Sequence, residues 1–275
     1  MKKILLLLLL CIGVGCSEDN QSPVDDDQGP FPDKAFFGDV ELNTQEDVNL
    51  FGQENYTVVT GNLKISSSTG PPVEVRITDL SSLLALKEVG GQLEVYGFMN
   101  NLEGLNNLER VEGGINGFLL GGPRLQNVDA LSSLVFVGGG LLLWGNENLQ
   151  NINGLSNLEV VSWLRFAEIN FSDFSPLGME SVSRFTLRDS ELTGPLTFPQ
   201  GLTNIDFLEI ERCPSLTKLD GLENISNINS LHILNNSSLT DYCGISNVLP
   251  VQSYYVDGNA YNPSQQDIID GNCSL

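Results

Sequence analysis

The stretch from Gly139 to Val161 constrains the fold more than any other part of this sequence. A glycine pair is followed by apolar residues at alternate positions, an asparagine-rich bend, and apolar residues at every third position. A period in the low twenties predicts a solenoid with one strand per turn. The last apolar position of the unit recurs at spacings of 22, 26, 24, 21, 23 and 23 residues, at Val89, Val111, Val137, Val161, Val182, Ile205 and Ile228.

The alternating segments predict which side chains face the core. Successive side chains of a strand point to opposite faces, so two apolar residues separated by one position share the inward face. The predicted inward pairs are Leu63/Ile65, Leu93/Val95, Gly117/Leu119, Leu141/Leu143, Leu164/Phe166, Phe185/Leu187, Leu208/Ile210, Leu231/Ile233 and Tyr254/Val256. Stacked turns then form a parallel sheet, and the fold class is mainly β.

The bends after the strands carry asparagine and glycine at related positions. We expect Gly104, Gly154 and Gly221 to take positive φ, which glycine adopts without steric cost. Asparagine amides at a bend bond free backbone groups of a neighbouring turn, and the bend positions are Asn100, Asn101, Asn146, Asn148, Asn235 and Asn236.

Residues 1–15 have the pattern of a secretory signal peptide. Two lysines precede an apolar run at residues 4–10, which is too short to span a membrane. Residues 13–16, Gly-Val-Gly-Cys, resemble a bacterial lipobox, and the resemblance implies that Cys16 is lipidated after cleavage. Ordinary cleavage near Gly15, with the cysteine pairing elsewhere, is the alternative.

Residues 16–34 are polar, acidic and rich in turn-forming residues. Such a segment has little apolar surface to bury, which is typical of a disordered tether. Acidic residues close behind a lipid cysteine resemble the export signals of Bacteroidota-type surface lipoproteins. The resemblance implies a lipid-anchored protein of the bacterial outer membrane that faces the cell exterior.

Residues 35–60 differ from the repeat and predict an N-terminal cap over the open end of the solenoid. Val40 and Leu42 alternate as in a strand. Thr44 is a candidate helix N-cap because acidic residues follow it in the first turn. We expect this helix to end at Gly52.

The repeats occupy residues 61–256, and residues 257–275 break the period and predict a C-terminal cap. Ser264 begins a capping-box pattern, so we expect a short helix that ends at Gly271.

Cys213, Cys243 and Cys273 remain after the signal segment and Cys16 are set aside. Disulfides persist in an oxidising compartment, and an odd number leaves one thiol free or paired between molecules. We predict a disulfide between Cys243 and Cys273 and a buried thiol at Cys213.

The chain carries 35 acidic and 13 basic residues, for a formal net charge of −22. This balance argues against binding to nucleic acid, whose phosphates require clustered Lys and Arg, and against docking on anionic lipid through a basic patch. His232 is the only histidine and is predicted to point outward, without the partners of a triad or a zinc site. We therefore expect no enzyme activity, cofactor or metal.

The repeat at residues 140–161, Gly-x-Leu-x-Leu…Asn-x-x-Leu-x-x-Ile-x-Gly-Leu-x-x-Leu-x-x-Val, resembles the receptor L domain. The run Gly-Asn-Ala-Tyr-Asn-Pro at residues 258–263 is similar to bacterial surface lipoproteins that carry such repeats. The resemblance covers about residues 40–275. It implies a right-handed parallel β-helix or leucine-rich-repeat-like solenoid, with turns of ~22–24 residues and a cap at each end.

An apolar patch on the outward face is the candidate binding site. Exposed aromatic patches mark surfaces that bind proteins or sugar rings. The predicted outward residues on adjacent turns are Tyr96, Phe118, Leu120, Leu142 and Trp144. A register error in the irregular turn at residues 113–137, or a loop over the patch, is the alternative.

These features predict a cell-surface lipoprotein that binds a protein or a glycan without catalysis. A polysaccharide-degrading β-helix enzyme and a purely structural surface protein are the alternatives. The enzyme needs two nearby carboxylates, and the outward Glu94 and Glu209 are several turns apart.

Overall fold

Parallel strands dominate the computed structural model, which describes residues 33–67, 76–114, 116–192 and 194–275. In this part of the chain, 14 strands form one sheet, and all of its strand pairs are parallel. The strands are β1 Ala35–Phe36, β2 Val40–Leu42, β3 Val58–Val59, β4 Leu63–Ser66, β5 Glu88–Val89, β6 Leu93–Tyr96, β7 Arg110–Val111, β8 Phe118–Gly121, β9 Phe136–Asn146, β10 Val160–Ile169, β11 Ser181–Arg188, β12 Asn204–Glu211, β13 Asn227–Leu234 and β14 Ser253–Asp257.

Helical structure is short and lies in the caps and between the strands. The two α-helices are α1 (Gln45–Gln53) and α2 (Gln265–Ile269). Single 3-10 turns connect the strands at Ser81–Leu83, Asp129–Leu131, Asn153–Leu155 and Cys243–Val248. The predicted mainly β fold class is confirmed, and the repeat-like parallel arrangement is that of a β solenoid.

The sheet has two rows of short strands in its first half and single long strands in its second half. β1, β3, β5 and β7 form one row, β2, β4, β6 and β8 form the other, and both rows end on β9. The start of β9 pairs with β7, whereas residues 141–144 pair with β8. Glycines at residues 90–91 separate the two rows, and the glycines at 138–140 lie within the continuous strand β9.

The hydrophobic core lies behind the sheet and is continuous along its length. All seven regular pairs from Leu63/Ile65 to Leu231/Ile233 are fully buried, as predicted. Tyr254 and Val256 on the last strand are half-buried, because β14 has a neighbouring strand on one side only. The pair predicted for the irregular turn, Gly117 and Leu119, is wrong, because Phe118 and Leu120 are buried and Leu119 faces outward.

Asparagine amides connect consecutive turns behind the ends of the strands. Asn236 is fully buried; its Oδ1 accepts from the Cys213 N–H at 2.9 Å, and its Nδ2 donates to the Ile210 carbonyl at 3.1 Å. The amides of Asn146 and Asn148 likewise donate to carbonyls of the preceding turn. The prediction for these three bend positions is confirmed, and the amides satisfy backbone groups that no strand pairs.

The three bend glycines do not share one conformation. They are required because the backbone of the preceding turn lies too close to each of them for a side chain. Gly104 and Gly221 have φ of 110° and 93°, as expected. The expectation of positive φ is wrong for Gly154, which lies in a 3-10 turn. A Cβ on any of the three would lie 1.8–1.9 Å from a backbone carbonyl oxygen of the preceding turn, so no larger residue fits there.

Residues 35–60, which are predicted to form an N-terminal cap, contain β1, β2, α1 and β3, and β1 and β2 pair with β3 and β4. Thr44 and Asp47 form a capping box at the start of α1, which confirms the predicted helix start. The predicted end at Gly52 is wrong, because α1 continues to Gln53. A Cβ at Gly52 would lie 2.3 Å from the carbonyl oxygen of Ser82, so this glycine lets the helix pack against the next turn.

Residues 257–275, which are predicted to form a C-terminal cap, contain α2. Ser264 and Asp267 form the predicted capping box, and Gly271 ends the helix with φ of 90°. Cys243 and Cys273 form the predicted disulfide, and Cys213 is a buried free thiol. The disulfide therefore joins the cap to the last turn of the solenoid.

Candidate functional site

The strand residues that point away from the core form the outward face of the sheet. Strand pairing aligns them in three rows that run across the strands. The first row is Gly140, Trp163, Arg184, Phe207, Ser230 and Ser253. The second row is Glu41, Lys64, Glu94, Leu119, Leu142, Arg165, Thr186, Glu209, His232 and Tyr255. The third row is Ser66, Tyr96, Gly121, Trp144, Ala167, Arg188, Glu211, Leu234 and Asp257.

Tyr96 and Trp144 form a stacked aromatic pair in the third row. Their ring centroids are 5.3 Å apart and their planes are inclined by 15°. Gly121 lies between them in register, and a Cβ there would meet both rings at 3.0 Å. The glycine therefore leaves the space in which two aromatic side chains from non-adjacent strands meet.

Leu119 and Leu142 lie beside the aromatic pair in the second row, and we call these four residues the apolar patch. A shallow cavity of about 150 Å³ is lined by the patch together with Glu94, Val95 and Gly121. Trp144 remains 44% exposed, and the other three side chains are half-buried. The patch is therefore an exposed apolar surface on a strongly acidic chain.

Phe118 and Leu120 are not part of this patch, contrary to the prediction. Both are buried in the core, with exposed fractions of 0% and 2%. Phe118 pairs with Leu141, and Leu119 takes the outward position. The cause is the irregular segment before β8, which shifts the strand by one residue, and a one-residue shift exchanges the two faces of a strand.

Three arginines follow the apolar patch on the next two strands, and we call them the arginine strip. Arg165 lies on β10, and Arg184 and Arg188 lie on β11. The Arg184 guanidinium lies 4.0 Å from the centroid of the Phe207 ring, and Arg188 Nη2 lies 2.7 Å from a carboxylate oxygen of Glu211. Strand pairing thus places Arg165 beside the strand that carries Arg184 and Arg188, which lie about 20 residues later in the sequence.

Two polar groups beside the strip have no partner among the described residues. Thr186 is fully buried and lies between Arg165 and Glu209 in the second row; its Oγ1 makes no hydrogen bond. The Nε of Arg188 is buried and also lacks a partner. Buried polar groups are ordinarily paired, and these two atoms are unpaired and shielded from solvent.

A second aromatic group lies on the other side of the strip. His232 has its ring centroid 4.6 Å from that of Phe207 and 5.8 Å from that of Tyr255. Tyr255 is 54% exposed. The outward face therefore carries aromatic side chains on both sides of the arginines.

The edge of the face beyond the third row has left-handed backbone on consecutive turns. Positive φ occurs at Gly145, Glu168, Asp189, Arg212, Asn235 and Gly258. Arg212 Nη2 donates to Asp189 Oδ2 at 2.9 Å. Hydrogen bonding to Arg212 lowers the pKa of Asp189, and the same bond raises the pKa of Arg212. This ion pair fixes two adjacent turns of the edge to each other.

The carboxylates on the face do not form a free catalytic pair. Glu94 and Glu209 are separated by five strand spacings, or roughly 24 Å at ~4.8 Å per strand. Glu209 and Glu211 are nearer, at about 6.6 Å along β12. Glu211 is buried and contacts both Arg188 and Arg212, so its negative charge is already neutralised.

Two further observations concern the described residues alone. They contain no group of three or more His, Cys, Asp or Glu side chains placed to hold a metal ion. They also contain no helix of the length and apolarity needed to cross a bilayer. The predicted signal segment 1–15, the lipidation site Cys16 and most of the tether 16–34 lie outside the described residues.

Comparisons with protein-family models, with curated proteins and with solved structures find no match to this chain. The resemblance to the receptor L domain therefore rests on the residues of the repeat.

Proposed function

We propose that this chain is a non-enzymatic binding module that holds a protein or a glycan on the outward face of its sheet. The observation that carries the proposal is the stacked pair of Tyr96 and Trp144, which stands exposed above Gly121. An aromatic pair of this kind supplies a large apolar contact with few rotatable bonds. Such anchors dominate the energy of many binding surfaces.

The sheet beneath the patch supports this role because it is rigid. The strands under the patch are hydrogen-bonded to neighbours on both sides, and the residues behind them are fully buried. A preorganised surface loses little conformational entropy when a ligand binds. The chain has a net charge of −22, so an exposed apolar cluster is unusual on its surface. Exposed apolar patches of this kind mark binding sites.

The finer form of the fold is part of the same proposal. We propose right-handed winding with turns of ~22–24 residues and a cap at each end, as in the receptor L domain. Aligned residues on β12, β13 and β14, namely Leu208, Leu231 and Tyr254, are 23 residues apart in sequence, which supports this period. Receptor-type modules with this repeat present a surface for a ligand, in agreement with a binding role.

We propose that a lipid on Cys16 anchors the chain in a bacterial outer membrane, with the solenoid facing the exterior. The support is the signal-like segment 1–15 and the acidic residues that follow the cysteine. More than one acyl chain is needed for stable anchoring. Labelling with a radioactive fatty acid tests this: we expect incorporation into the wild-type chain and none into Cys16→Ser, and equal labelling of both would contradict the anchor.

Binding is tested with the soluble fragment 34–275, which contains the entire core of the described chain, from Val40 to Ile268. The fragment is applied to a glycan array and used in pull-down experiments. We expect Trp144→Ala to weaken retention of the ligand by about tenfold or more, the loss typical of a central aromatic anchor. Ile269→Ala is the matched control, because Ile269 is 47% exposed and lies on α2.

Stability measurements separate a binding defect from misfolding. Trp144 is 44% exposed, so Trp144→Ala should lower the free energy of unfolding by only about 1 kcal/mol. A loss of the size expected for a buried ring, about 3–5 kcal/mol, would show that Trp144 belongs to the core. Retention of every ligand by the Trp144→Ala variant would also contradict the proposal, and absence of any ligand would favour a purely structural protein.

The second candidate is a polysaccharide-degrading enzyme, and the observation in its favour is the spacing of Glu209 and Glu211 on β12. Their backbone positions are about 6.6 Å apart, and glycosidases use two carboxyl groups about 5–9.5 Å apart. The engagement of Glu211 by two arginines makes it the weaker candidate. The test is whether the protein releases reducing ends from an array glycan. Release that is abolished by Glu209→Gln would favour the enzyme over the binding module.

A further inference from the structure

We infer that the ligand is an extended glycan that carries carboxylates, such as a uronate polymer, lying across the strands from the apolar patch onto the arginine strip. The inference rests on the proposed function, namely that the outward face binds a ligand. It adds the chemical class of that ligand and the residues that recognise its charge.

Charge complementarity supports an anionic ligand. Acidic residues outnumber basic ones by 35 to 13, yet three of the basic residues share two adjacent strands of the outward face. Arginine pairs with carboxylates through two parallel hydrogen bonds, which makes it suited to this recognition. The face therefore carries three arginines directly beside its apolar patch; Arg188 is paired with Glu211, and Arg165 keeps a positive charge without an ion pair among the described residues.

Arg165 is the member of the strip that is available for a ligand. Among the described residues it forms no ion pair or hydrogen bond, whereas Arg188 is engaged by Glu211. The unpaired Oγ1 of Thr186 and Nε of Arg188 lie on the adjacent strand. Because those two atoms are buried, the half-buried guanidinium of Arg165 is the group that can donate hydrogen bonds to a ligand carboxylate.

Ala167 creates room for a sugar ring between the aromatic and basic groups. In the third row it lies next to Trp144 on one side and next to Arg188 on the other. Because its side chain is a methyl group, the side of the indole that faces away from Tyr96 is not covered by its neighbour in the row. A pyranose ring above Ala167 would stack on the indole, and its carboxylate would then meet Arg165.

The arrangement favours a chain of several sugars over a single ring. Phe207, His232 and Tyr255 lie on the far side of the arginine strip. From Trp144 on β9 to Tyr255 on β14 there are five strand spacings, or roughly 24 Å. A polymer lying along the rows would contact aromatic groups at both ends and the arginines in the middle.

The test uses fragment 34–275 and a panel of uronate oligosaccharides, namely oligogalacturonates, oligomannuronates, oligoguluronates and glucuronate-containing oligomers. Each is paired with a neutral oligosaccharide in which a hydroxymethyl group replaces the carboxylate. Affinities are measured by isothermal titration calorimetry. We expect at least one uronate to bind about tenfold or more tightly than its neutral counterpart, the difference expected for a charge-assisted contact, and its affinity to fall with added salt.

Arg165→Gln is the informative variant because it leaves no carboxylate without its partner. We expect it to weaken uronate binding by about tenfold or more and to leave the melting temperature of the fragment unchanged. Arg124→Gln removes the same charge from an exposed site outside the outward face, and we expect it to bind like the wild-type fragment.

The possible outcomes separate the two proposals. Equal binding of uronate and neutral oligosaccharides, or binding to no member of the panel, overturns the inference, while Trp144-dependent retention of another ligand would still support the proposed function. Uronate binding that neither Trp144→Ala nor Arg165→Gln weakens places the ligand elsewhere on the protein and overturns both.

Discussion

Phe118 and Leu119 are adjacent in sequence and lie on opposite faces of β8, so their substitution tests the register on which the apolar patch depends. Phe118 is fully buried between Leu93 and Leu141 of the neighbouring strands. Leu119 is half-buried on the outward face. If the two faces of β8 were exchanged, Phe118 would lie on the outward face and Leu119 would not belong to the apolar patch.

The two alanine variants should differ strongly in stability. Phe118→Ala removes a ring from a closed core and leaves a cavity, for a loss of about 3–5 kcal/mol in the free energy of unfolding. Leu119→Ala removes a side chain that already contacts water. Because complete burial of such a side chain contributes about 1.5–3 kcal/mol, the expected loss for partial burial is about 1 kcal/mol.

The assay is urea unfolding of fragment 34–275, followed by circular dichroism with the disulfide kept oxidised. The free energies of unfolding are compared only between proteins for which the free energy falls with urea concentration at the same slope. A changed slope would indicate a changed unfolded or native state. Equal losses for the two variants, or a larger loss for Leu119→Ala, would refute the register and with it the composition of the apolar patch.

Two further predictions concern groups buried behind the sheet. Burial raises the pKa of the Cys213 thiol to about 12, so a colourimetric thiol reagent at pH 8 should detect no reactive thiol in folded fragment 34–275 and one per chain after denaturation; rapid reaction of the folded protein would contradict the burial. Asn236→Ala leaves the Cys213 N–H and the Ile210 carbonyl unpaired in the core, for an expected loss of roughly 2–6 kcal/mol. In urea unfolding, Asn148→Ala is its control, because that amide makes one exposed bond; similar losses for the two variants would show that the buried amide has no special role.

Much of the fold was predictable because most turns repeat one unambiguous pattern. In a segment such as Leu208-Glu209-Ile210, a polar residue between two apolar ones leaves a single assignment of the faces. The disulfide was predictable because Cys243 and Cys273 lie together in the segment that closes the solenoid.

The register of β8 was not predictable from periodicity. Phe118, Leu119 and Leu120 are all apolar, so alternation does not show which of them faces inward. The glycines before β8 add no side chain to settle the choice. Pairing with Leu141 on β9 settles it, and that contact joins residues 23 positions apart.

The candidate site was predictable in part for the same reason. Tyr96, Leu142 and Trp144 were placed on the outward face by alternation alone. Their stacking was missed because Gly121, the residue between the rings, was assigned no position on the face. The arginine strip was also missed, since Arg165, Arg184 and Arg188 belong to two turns and three rows and become neighbours only through strand pairing.

The central claim is that a ligand covers the outward face, and tryptophan fluorescence tests it directly. Trp144 and Trp163 are the only tryptophans of the chain, and both lie on this face. Acrylamide quenching is measured on fragment 34–275, with and without a saturating amount of the ligand retained on the array or in the pull-down. We predict that bound ligand lowers the quenching constant. A ligand that binds fully, as shown by calorimetry, and leaves the quenching constant unchanged would contradict the account.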